Sequence, residues 1–400
     1  MKTARQLIAA ACAVALLVAA GGCAPSANRT PTSAKSSETT VAPAPSAGEQ
    51  AGESSEPSTA VSPMKMLAPD KGAWVGVFTP PAPYKMSAVE RYTKLAGARP
   101  AIVMWYQPWA GDGADEFLGS ECVTMMRAGV VPLITWEPWD PGADPNYLKH
   151  PEKQPKYSLA KIAGGKYDSY IRDWARKCAT LGGPVMLRPM HEMNGTWYPW
   201  GGTVNGNSAE EYVAAWRHIH DIFADEGADN VTWVWSVNNN NIPDVEGNQW
   251  GDYYPGDEYV DWVASSGFNW GTTRPKHKWK TFDAVFGNVY PYLRTLGKPI
   301  LLSEFGTVSE GGSKPAWIRA AYRAIREDYP EIAAVVYYDN GEQGLKGRQD
   351  WGIASVKGSA MAYAEAVSDP YYKHAPSPAI DRWVEGATDD DFEQLKQSLK

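Results

Sequence analysis

Short apolar runs alternate with longer amphipathic stretches from about residue 74 to residue 368. Eight of these runs are rich in Val, Ile and Trp and have the length of β-strands; they cover residues 74–78, 101–105, 130–136, 184–188, 231–236, 262–268, 300–303 and 333–338. Helix-like stretches follow them, most clearly at 166–181, 209–226, 280–296 and 315–329. Eight alternating strand–helix units predict parallel strands that close into a barrel. The expected fold class is therefore α/β, a single (β/α)8 TIM barrel.

The main alternative fold is a doubly wound open sheet. That fold normally carries a glycine-rich phosphate loop after its first strand. The residues that follow the first predicted strand are Thr79, Pro80 and Pro81, without glycine. The sequence therefore favours the barrel, whose usual size of about 250 residues also fits once long loops are allowed.

The first 22 residues have the pattern of a bacterial signal peptide. Lys2 and Arg5 precede an apolar run of 14 residues at 7–20, which is too short for a membrane span of about 20 residues. Small residues then lead to Cys23, as in a lipobox, in which the cysteine is lipidated. We expect residues 1–22 to be removed and Cys23 to become a lipid anchor. Ordinary signal-peptide cleavage near the same place, with Cys23 incidental, is the alternative.

The segments on either side of the barrel are predominantly polar. Residues 23–66 are dominated by Ser, Pro, Ala and Thr, with scarcely any large apolar residue. Such a segment cannot bury enough surface to offset its ordering entropy, so we expect a flexible, disordered linker. The barrel is expected over residues 67–373. The polar residues 374–400 are expected to form a surface tail or a frayed terminal helix.

Composition narrows the class of partner. The chain has 38 Lys and Arg against 46 Asp and Glu, a net charge of −8, and no basic stripe, which argues against nucleic-acid binding. Eighteen Trp and 21 Tyr stand against 8 Phe, and such amphipathic rings suit both cores and sugar-lined clefts.

Cys122 and Cys178 form an even pair outside the signal region. A disulfide and two buried free thiols both remain open for them.

Acids, amides and indoles follow the predicted strands at their carboxyl ends, where barrels of this kind carry out catalysis. The candidate site residues at this end are Trp136, Glu137, Arg188, His191, Glu192, Trp197, Asn238, Phe268, Trp270, Glu304, Tyr338 and Trp351. The indoles suit sugar stacking as well as packing, and Glu137 suits either sugar hydroxyls or a neighbouring arginine. Such a lining is typical of a carbohydrate cleft.

Glu192 and Glu304 follow the fourth and seventh predicted strands, on opposite sides of the barrel mouth. Two carboxyl groups that face each other across a substrate can hydrolyse a glycosidic bond. One protonates the leaving oxygen, and the other acts as nucleophile or as base for water. One must stay protonated while the other is ionised, and neighbours such as His191 and Arg188 can create that difference in pKa. A bell-shaped pH profile is therefore expected.

Two segments around these carboxylates resemble known signatures. Residues 188–195 read RPMHEMNG and are followed by Trp197 and Trp200, and residues 303–306 read SEFG. The first is similar to the acid/base signature of glycoside hydrolase family 26, and the second to that family's nucleophile strand. The family comprises retaining (β/α)8 enzymes, chiefly endo-β-1,4-mannanases, with some that act on mixed-linkage β-glucan or β-1,3-xylan. The likeness extends over residues 74–372.

The resemblance assigns roles residue by residue. It implies that Glu192 is the general acid/base and Glu304 the nucleophile, that His191 orients the sugar at the cleavage subsite, and that Trp197 forms a platform beside it. Two positions depart from the family's pattern. Phe268 stands where mannanases commonly have a tyrosine that hydrogen-bonds the nucleophile, and Tyr338 stands where an aromatic platform, often tryptophan, is usual. The loss of the tyrosine bears on mannan specificity.

Other chemistries fit the sequence less well. A zinc site of the HExxH type would need histidine where Gly195 stands, and His218 and His220 are two apart on a predicted helix, so they point to different faces. A serine hydrolase would need a G-x-S-x-G elbow, and Ser265 lacks the leading glycine, since Val263 stands in its place. A sugar-binding lipoprotein without catalysis is the third alternative, although a binder has no need of two opposed carboxylates.

The sequence therefore predicts a retaining, endo-acting β-glycoside hydrolase that needs no cofactor and no metal. β-1,4-Mannan is the first expected substrate, and mixed-linkage or β-1,3-linked glycans are the alternatives. Retention predicts a separation of about 5–5.5 Å between the two carboxyl groups. We expect a monomer whose partner is the polysaccharide. It would lie outside the cytoplasm and touch the membrane only through the lipid on Cys23, or else be secreted.

Overall fold

A computed structural model describes residues 64–111, 115–143, 149–341 and 349–399. The predicted signal peptide, Cys23 and all but the last residues of the predicted linker lie outside these ranges. The eight predicted strands are all present, with ends that differ from the predicted ones by a few residues. They are β1 (Ala73–Phe78), β2 (Ile102–Pro108), β3 (Val131–Glu137), β4 (Val185–Pro189), β5 (Val231–Asn238), β6 (Trp262–Asn269), β7 (Ile300–Thr307) and β8 (Ile332–Tyr338).

The strands form one closed parallel barrel. Each pairs with its neighbours in chain order, and β1 pairs with β8 on one side and β2 on the other. Every strand residue is buried, because one face fills the barrel interior and the other is covered by helices. This double burial explains why the strands read as nearly continuous apolar runs. The prediction of a (β/α)8 barrel is confirmed.

Helices of very different length connect the strands. In the described part of the chain they are α1 (Ser87–Ala96), α2 (Gly119–Arg127), α3 (Leu159–Ala163), α4 (Asp168–Leu181), α5 (Ala209–Asp225), α6 (Phe282–Phe286), α7 (Tyr290–Thr295), α8 (Lys314–Glu327), α9 (Ser359–Val367), α10 (Pro378–Val384) and α11 (Asp389–Ser398). The single helix predicted at 280–296 is wrong, since α6 and α7 are separate. Gly287 follows α6 directly and favours its end, and Pro291 lies in the first turn of α7, where a missing N–H is tolerated.

The barrel includes residues that the sequence placed in the linker. Met66 is only 1% exposed. Its backbone N–H donates to Thr232 Oγ1 at 2.9 Å, and its carbonyl accepts from Trp262 Nε1 at 2.9 Å. Lys65 pairs with Asp261 at 3.0 Å. Because Thr232 and Trp262 lie at the starts of β5 and β6, these residues close the amino-terminal end of the barrel. The packed part of the chain therefore begins before residue 67.

Residues 374–400, expected to form a surface tail or a frayed terminal helix, are mostly helical and pack against the barrel. After a short strand β9 (Tyr372–Lys373), which pairs with β1, come α10 and α11. Phe392 and Leu399 are buried, and the Arg127 guanidinium lies 5.0 Å from the centre of the Phe392 ring while pairing with Asp389. The sequence is polar on average, but its few apolar residues are spaced so that they pack onto α2. This packing extends the folded unit to the last described residues.

Cys122 on α2 and Cys178 on α4 are free, buried thiols. Of the two alternatives left open by the sequence, the structure supports the free thiols and not the disulfide. Burial raises the pKa of both thiols, which keeps them protonated and unreactive. No helix within the described ranges is both long and apolar enough to span a bilayer.

Candidate active site

Glu192 and Glu304 lie at the carboxyl end of the barrel, as predicted. Glu192 follows β4 by three residues, and Glu304 lies within β7. The two side chains are nearly buried, with exposed fractions of 4% and 5%. A carboxyl group in such a place is costly to ionise without hydrogen-bond donors or a counter-charge. The two carboxyls obtain these from different neighbours.

A β-bulge in β7 aims the Glu304 side chain into the barrel. Ser265 pairs with Leu302 and Ser266 with Glu304, so Ser303 is an extra residue on this strand. Successive side chains of a regular strand point to opposite faces, whereas a bulge allows two neighbours to share one face. Ser303 and Glu304 both bond to Arg188, which is possible only because of this irregularity.

Arg188 is a fully buried cation at the end of β4. One of its terminal nitrogens, Nη2, donates to Glu304 Oε1 at 2.7 Å. The other, Nη1, donates to Ser303 Oγ at 3.0 Å, and Nε donates to Thr135 Oγ1 at 2.9 Å. A buried charge needs both a partner and hydrogen bonds, and this guanidinium has them from β3 and β7. Arg188 therefore supports Glu304 as an ionised carboxylate in a fixed position.

The chain around Glu192 adopts a rare backbone conformation. Met190 and Glu192 have φ values of 48° and 54°, in the left-handed region that side chains other than glycine seldom adopt. The Glu192 N–H donates to the Ser236 carbonyl at 2.9 Å, which ties this turn to β5. Such a conformation costs on the order of 1–3 kcal/mol and persists where the surroundings enforce it, typically at functional sites.

Two donors hold the Glu192 carboxyl. Trp197 Nε1 donates to Oε2 at 2.7 Å, and Asn238 Nδ2 donates to Oε1 at 3.3 Å. Gly195 makes room for this contact, since a Cβ there would lie 2.4 Å from the Trp197 ring. Burial, followed by the negative charge of Glu304, raises the pKa of Glu192 to about 7. Glu192 therefore remains a proton donor near neutral pH, which is the difference in ionisation that the sequence predicted for one of the pair.

His191 lies beneath the cleft, among aromatic rings. Its Nε2 is 3.1 Å from the Tyr198 hydroxyl, and the rings of Tyr198 and Trp200 lie 4.7 and 5.8 Å from its own. Burial and, next, the positive charge of Arg188 lower the pKa of His191, so the imidazole is neutral. Its Nδ1 has no partner among the described residues.

An aromatic wall lies on the opposite side of the mouth from Glu192, at the ends of β6 and β8. Phe268 lies 5.4 Å from Tyr338, 4.8 Å from Trp351 and 5.9 Å from Trp270, measured between ring centres. Phe78 at the end of β1 stacks on Tyr338 at 4.6 Å. The predicted residues Phe268, Trp270, Tyr338 and Trp351 are thus brought together. A contiguous aromatic surface of this kind suits the flat apolar faces of sugar rings.

Two of the predicted site residues, Trp136 and Glu137, are fully buried. Trp136 is fully buried and packs on Tyr170 and Trp174, 5.7 and 4.8 Å away between ring centres. The reason is strand parity: Thr135 points inward to Arg188, so its neighbour Trp136 must point outward. Glu137 is also fully buried, and its Oε2 accepts from Trp139 Nε1 at 3.2 Å.

The sequence did not point to several residues that hold other site residues in place through hydrogen bonds. Asn194 is fully buried and joins the loop after β4 to the loop after β5: its Oδ1 accepts from the Asn238 N–H at 2.9 Å, and its Nδ2 donates to the Asn240 carbonyl at 3.0 Å. Tyr198 and Ser303 were missed in the same way. Asn194 and Tyr198 lie within or beside the long signature around Glu192, and that proximity was the available signal. Among the described residues no cluster of three or more His, Cys, Asp or Glu could hold a metal ion.

Comparison with known proteins agrees with this site. The sequence model of glycosyl hydrolase family 26 matches residues 148–288, which include Glu192. Endoglucanase H of Acetivibrio thermocellus is 36% identical over 299 residues, which are 74% of this chain and 30% of that protein. A mannan endo-1,4-beta-mannosidase of Bacillus subtilis (strain 168) is 24% identical over 302 residues, 71% of this chain and 75% of that protein. The chain thus spans less than a third of the length of Endoglucanase H.

The solved structure of Bacillus subtilis mannanase BCman has the same fold. It superposes with a TM-score of 0.57 at 22% identity and covers 79% of this chain and 95% of that one. The barrel and its buried carboxyl pair at the mouth place the chain among the (β/α)8 glycoside hydrolases. Within that class, the chain is similar to glycosyl hydrolase family 26, whose model matches its residues 148–288.

Proposed function

We propose that this chain is an endo-acting β-glycoside hydrolase that retains the anomeric configuration. The observation that carries the proposal is the pair of buried carboxyls in different settings. Glu304 is bonded to the Arg188 cation, whereas Glu192 is protonated near neutral pH because burial and the Glu304 charge raise its pKa to about 7. Double displacement requires an ionised nucleophile beside a protonated acid.

In the first step, Glu304 attacks the anomeric carbon while Glu192 transfers its proton to the leaving glycosidic oxygen. The products of this step are a glycosyl ester on Glu304 and an ionised Glu192. In the second step, Glu192 removes a proton from water, and the water oxygen attacks the anomeric carbon and releases Glu304. The Trp197 and Asn238 donors can bond to the Glu192 carboxylate between the two steps. We further propose that neutral His191 orients the sugar at the cleavage point.

We propose β-1,4-mannan as the first substrate, since the Bacillus subtilis relative that covers most of this chain is a mannan endo-1,4-beta-mannosidase. A second candidate is a β-glucan that contains β-1,4 linkages. The higher identity of 36% to Endoglucanase H favours it, as does Phe268, which offers no hydroxyl for a hydrogen bond at the mouth.

The test is reducing-end release from galactomannan, glucomannan, mixed-linkage β-glucan and β-1,3-xylan. Glu304→Gln serves as the blank, and Glu310→Gln, an exposed acid just beyond the same strand, is the matched control that should keep full activity. Glu192→Ala should lose activity on the glycans; on an aryl β-glycoside with a good leaving group, which needs no protonation, azide should restore turnover and give a glycosyl azide that retains the β configuration. Cleavage that survives in Glu304→Gln would overturn the proposal. Binding of a glycan without any cleavage would instead support the non-catalytic alternative.

We also propose that the enzyme is held outside the cytoplasm by a lipid on Cys23. The charged start, the apolar run at 7–20 and the small residues before Cys23 support this proposal. In a bacterial host, the full chain should fractionate with membranes, and Cys23→Ala should be released from them. Membrane fractionation that is unchanged in Cys23→Ala would contradict the lipid anchor.

A further inference from the structure

Lys314 is a buried cation that the proposed chemistry does not use. It is the first residue of α8, and its exposed fraction is 1%. A positive charge is disfavoured at a helix amino terminus, where the helix dipole is itself positive. Its burial adds a desolvation cost. A lysine in this place therefore needs specific bonds that compensate both effects.

Those bonds go to the segment between β8 and α9. Lys314 Nζ donates to the Asp350 carbonyl at 3.2 Å and to Ser355 Oγ at 2.9 Å. The two acceptors lie on either side of Trp351, one residue before it and four residues after it. The ammonium therefore fixes the backbone that carries this indole at both of its flanks.

Trp351 lies over the strand that carries Glu304. A Cβ placed on Gly306 would be 3.7 Å from the Trp351 ring, and Gly306 is two residues beyond Glu304 on β7. The same ring lies 4.8 Å from Phe268 and 4.9 Å from Trp270. The position of the Trp351 ring is thus set by its packing on β7 and on the end of β6, and by the bonds of Lys314 to the segment that carries the ring.

We propose that Lys314 is a positioning residue that holds Trp351 in place as part of the aromatic wall, and so sets the affinity for the bound glycan. The inference rests on the proposed function. Lys314 should affect substrate binding and leave the bond-breaking step unchanged, because Glu192 and Glu304 are held by other donors. The ligand is a sugar unit of the glycan that lies against Trp351.

The contact also depends on pH. Burial lowers the pKa of Lys314 to about 8, against the opposing effects of Asp350 and Asp339 in the segment after β8 and of Glu310 in the loop before α8. As pH rises through 8, Lys314 loses its proton and its bonds to the Asp350 carbonyl and Ser355 lose their charge assistance. The KM of the unmodified enzyme should therefore rise above pH 8.

Kinetics on the best glycan of the panel test the proposal. Lys314→Met should raise KM on the order of tenfold, in keeping with the loss of charge-assisted bonds, with kcat within about twofold. Lys314→Arg, which keeps the cation, should restore most of the affinity. Lys357→Met is the matched control, since Lys357 is exposed on the same segment, and it should leave KM unchanged.

A double-mutant cycle separates positioning from general destabilisation. If Lys314 acts through Trp351, Lys314→Met on top of Trp351→Ala should raise KM no further than Trp351→Ala alone. Effects that multiply, or an unchanged KM in Lys314→Met, would overturn the inference. If Lys314→Met fails to fold, the pH dependence of KM tests the inference instead. KM should rise between pH 7 and 9 in the unmodified enzyme, and this rise should be absent in Trp351→Ala. An unmodified enzyme that cleaves no glycan would refute the proposed function, whereas a change in KM tests only this inference.

Discussion

Trp197 controls when Glu192 can act as an acid. Its indole N–H donates to Glu192 Oε2 and favours the ionised form, so this bond lowers the pKa of Glu192 against the larger effects of burial and the Glu304 charge, which together raise it to about 7. Catalysis needs the protonated form, so activity should fall as pH rises through about 7. Trp197→Phe removes the donor, and the pKa of Glu192 should rise further. The alkaline limb of kcat/KM against pH should move to higher pH.

The comparison for this variant is Trp216→Phe, which removes an indole N–H on α5 that bonds to the Tyr259 carbonyl, away from the carboxyl pair. Its alkaline limb should stay where it is in the unmodified enzyme. An alkaline limb that stays in place or moves down in Trp197→Phe would show that another group sets it.

Arg188 and Glu304 form a buried pair in which each charge requires the other. Arg188→Met should lower the free energy of unfolding by about 3–5 kcal/mol, because a buried carboxylate is left without its counter-charge. It should also remove nearly all activity. Adding Glu304→Gln should restore part of the stability, since the unpaired charge is gone, but no activity. Urea unfolding of the two single variants and the double variant measures this; equal losses in the single and double variants would argue against the pair.

Asn194 links two loops, so its role belongs to the element scale. It positions Asn238, which donates to Glu192, and removing its side chain should cost about 1–3 kcal/mol of stability because buried partners lose their bonds. Asn194→Ala should also weaken acid catalysis. The loss should be larger for polysaccharide than for an aryl β-glycoside with a good leaving group, which needs no protonation.

Asn207→Ala is a matched control for Asn194→Ala. Asn207 lies in the same connection between β4 and α5 and makes a similar set of bonds, to the Pro199 and Gly201 carbonyls and the Leu159 N–H. It should lose comparable stability and show no dependence on the leaving group. Equal losses on both substrates in Asn194→Ala would indicate that Asn194 only stabilises the fold.

The strands were predictable because each is a buried apolar run with its own length and period. The carboxyl pair was predictable because parallel strands place their carboxyl ends at one rim. The outward direction of Trp136 depended on strand parity, which an exact strand register would have given. The contacts of Asn194 and Lys314 join segments 36–54 residues apart, and no local pattern encodes them. The break between α6 and α7 was signalled by Gly287 and Pro291, although the amphipathic pattern continues across it.

At the scale of the whole molecule, the barrel depends on a segment that its sequence assigns to the linker. Met66 fills the amino-terminal end of the barrel and satisfies Thr232 and Trp262. A chain that begins at Met64 should therefore unfold like the longer chain, whereas one that begins at Ala68 should be less stable. The loss of the Met66 side chain alone is worth about 1.5–3 kcal/mol, and two buried polar groups also lose their partners.

Thermal and urea unfolding of the two truncated chains measure this difference, and activity at low temperature shows whether the site is intact. Because Met66 lies at the opposite end of the strands from Glu192 and Glu304, the chain from Ala68 should keep its kcat wherever it is folded. Met66→Ala in the longer chain separates packing from backbone bonding, since it removes the side chain and keeps the bonds to Thr232 and Trp262. Equal stability of the chains from Met64 and Ala68 would mean that Met66 merely covers the barrel end without supporting it.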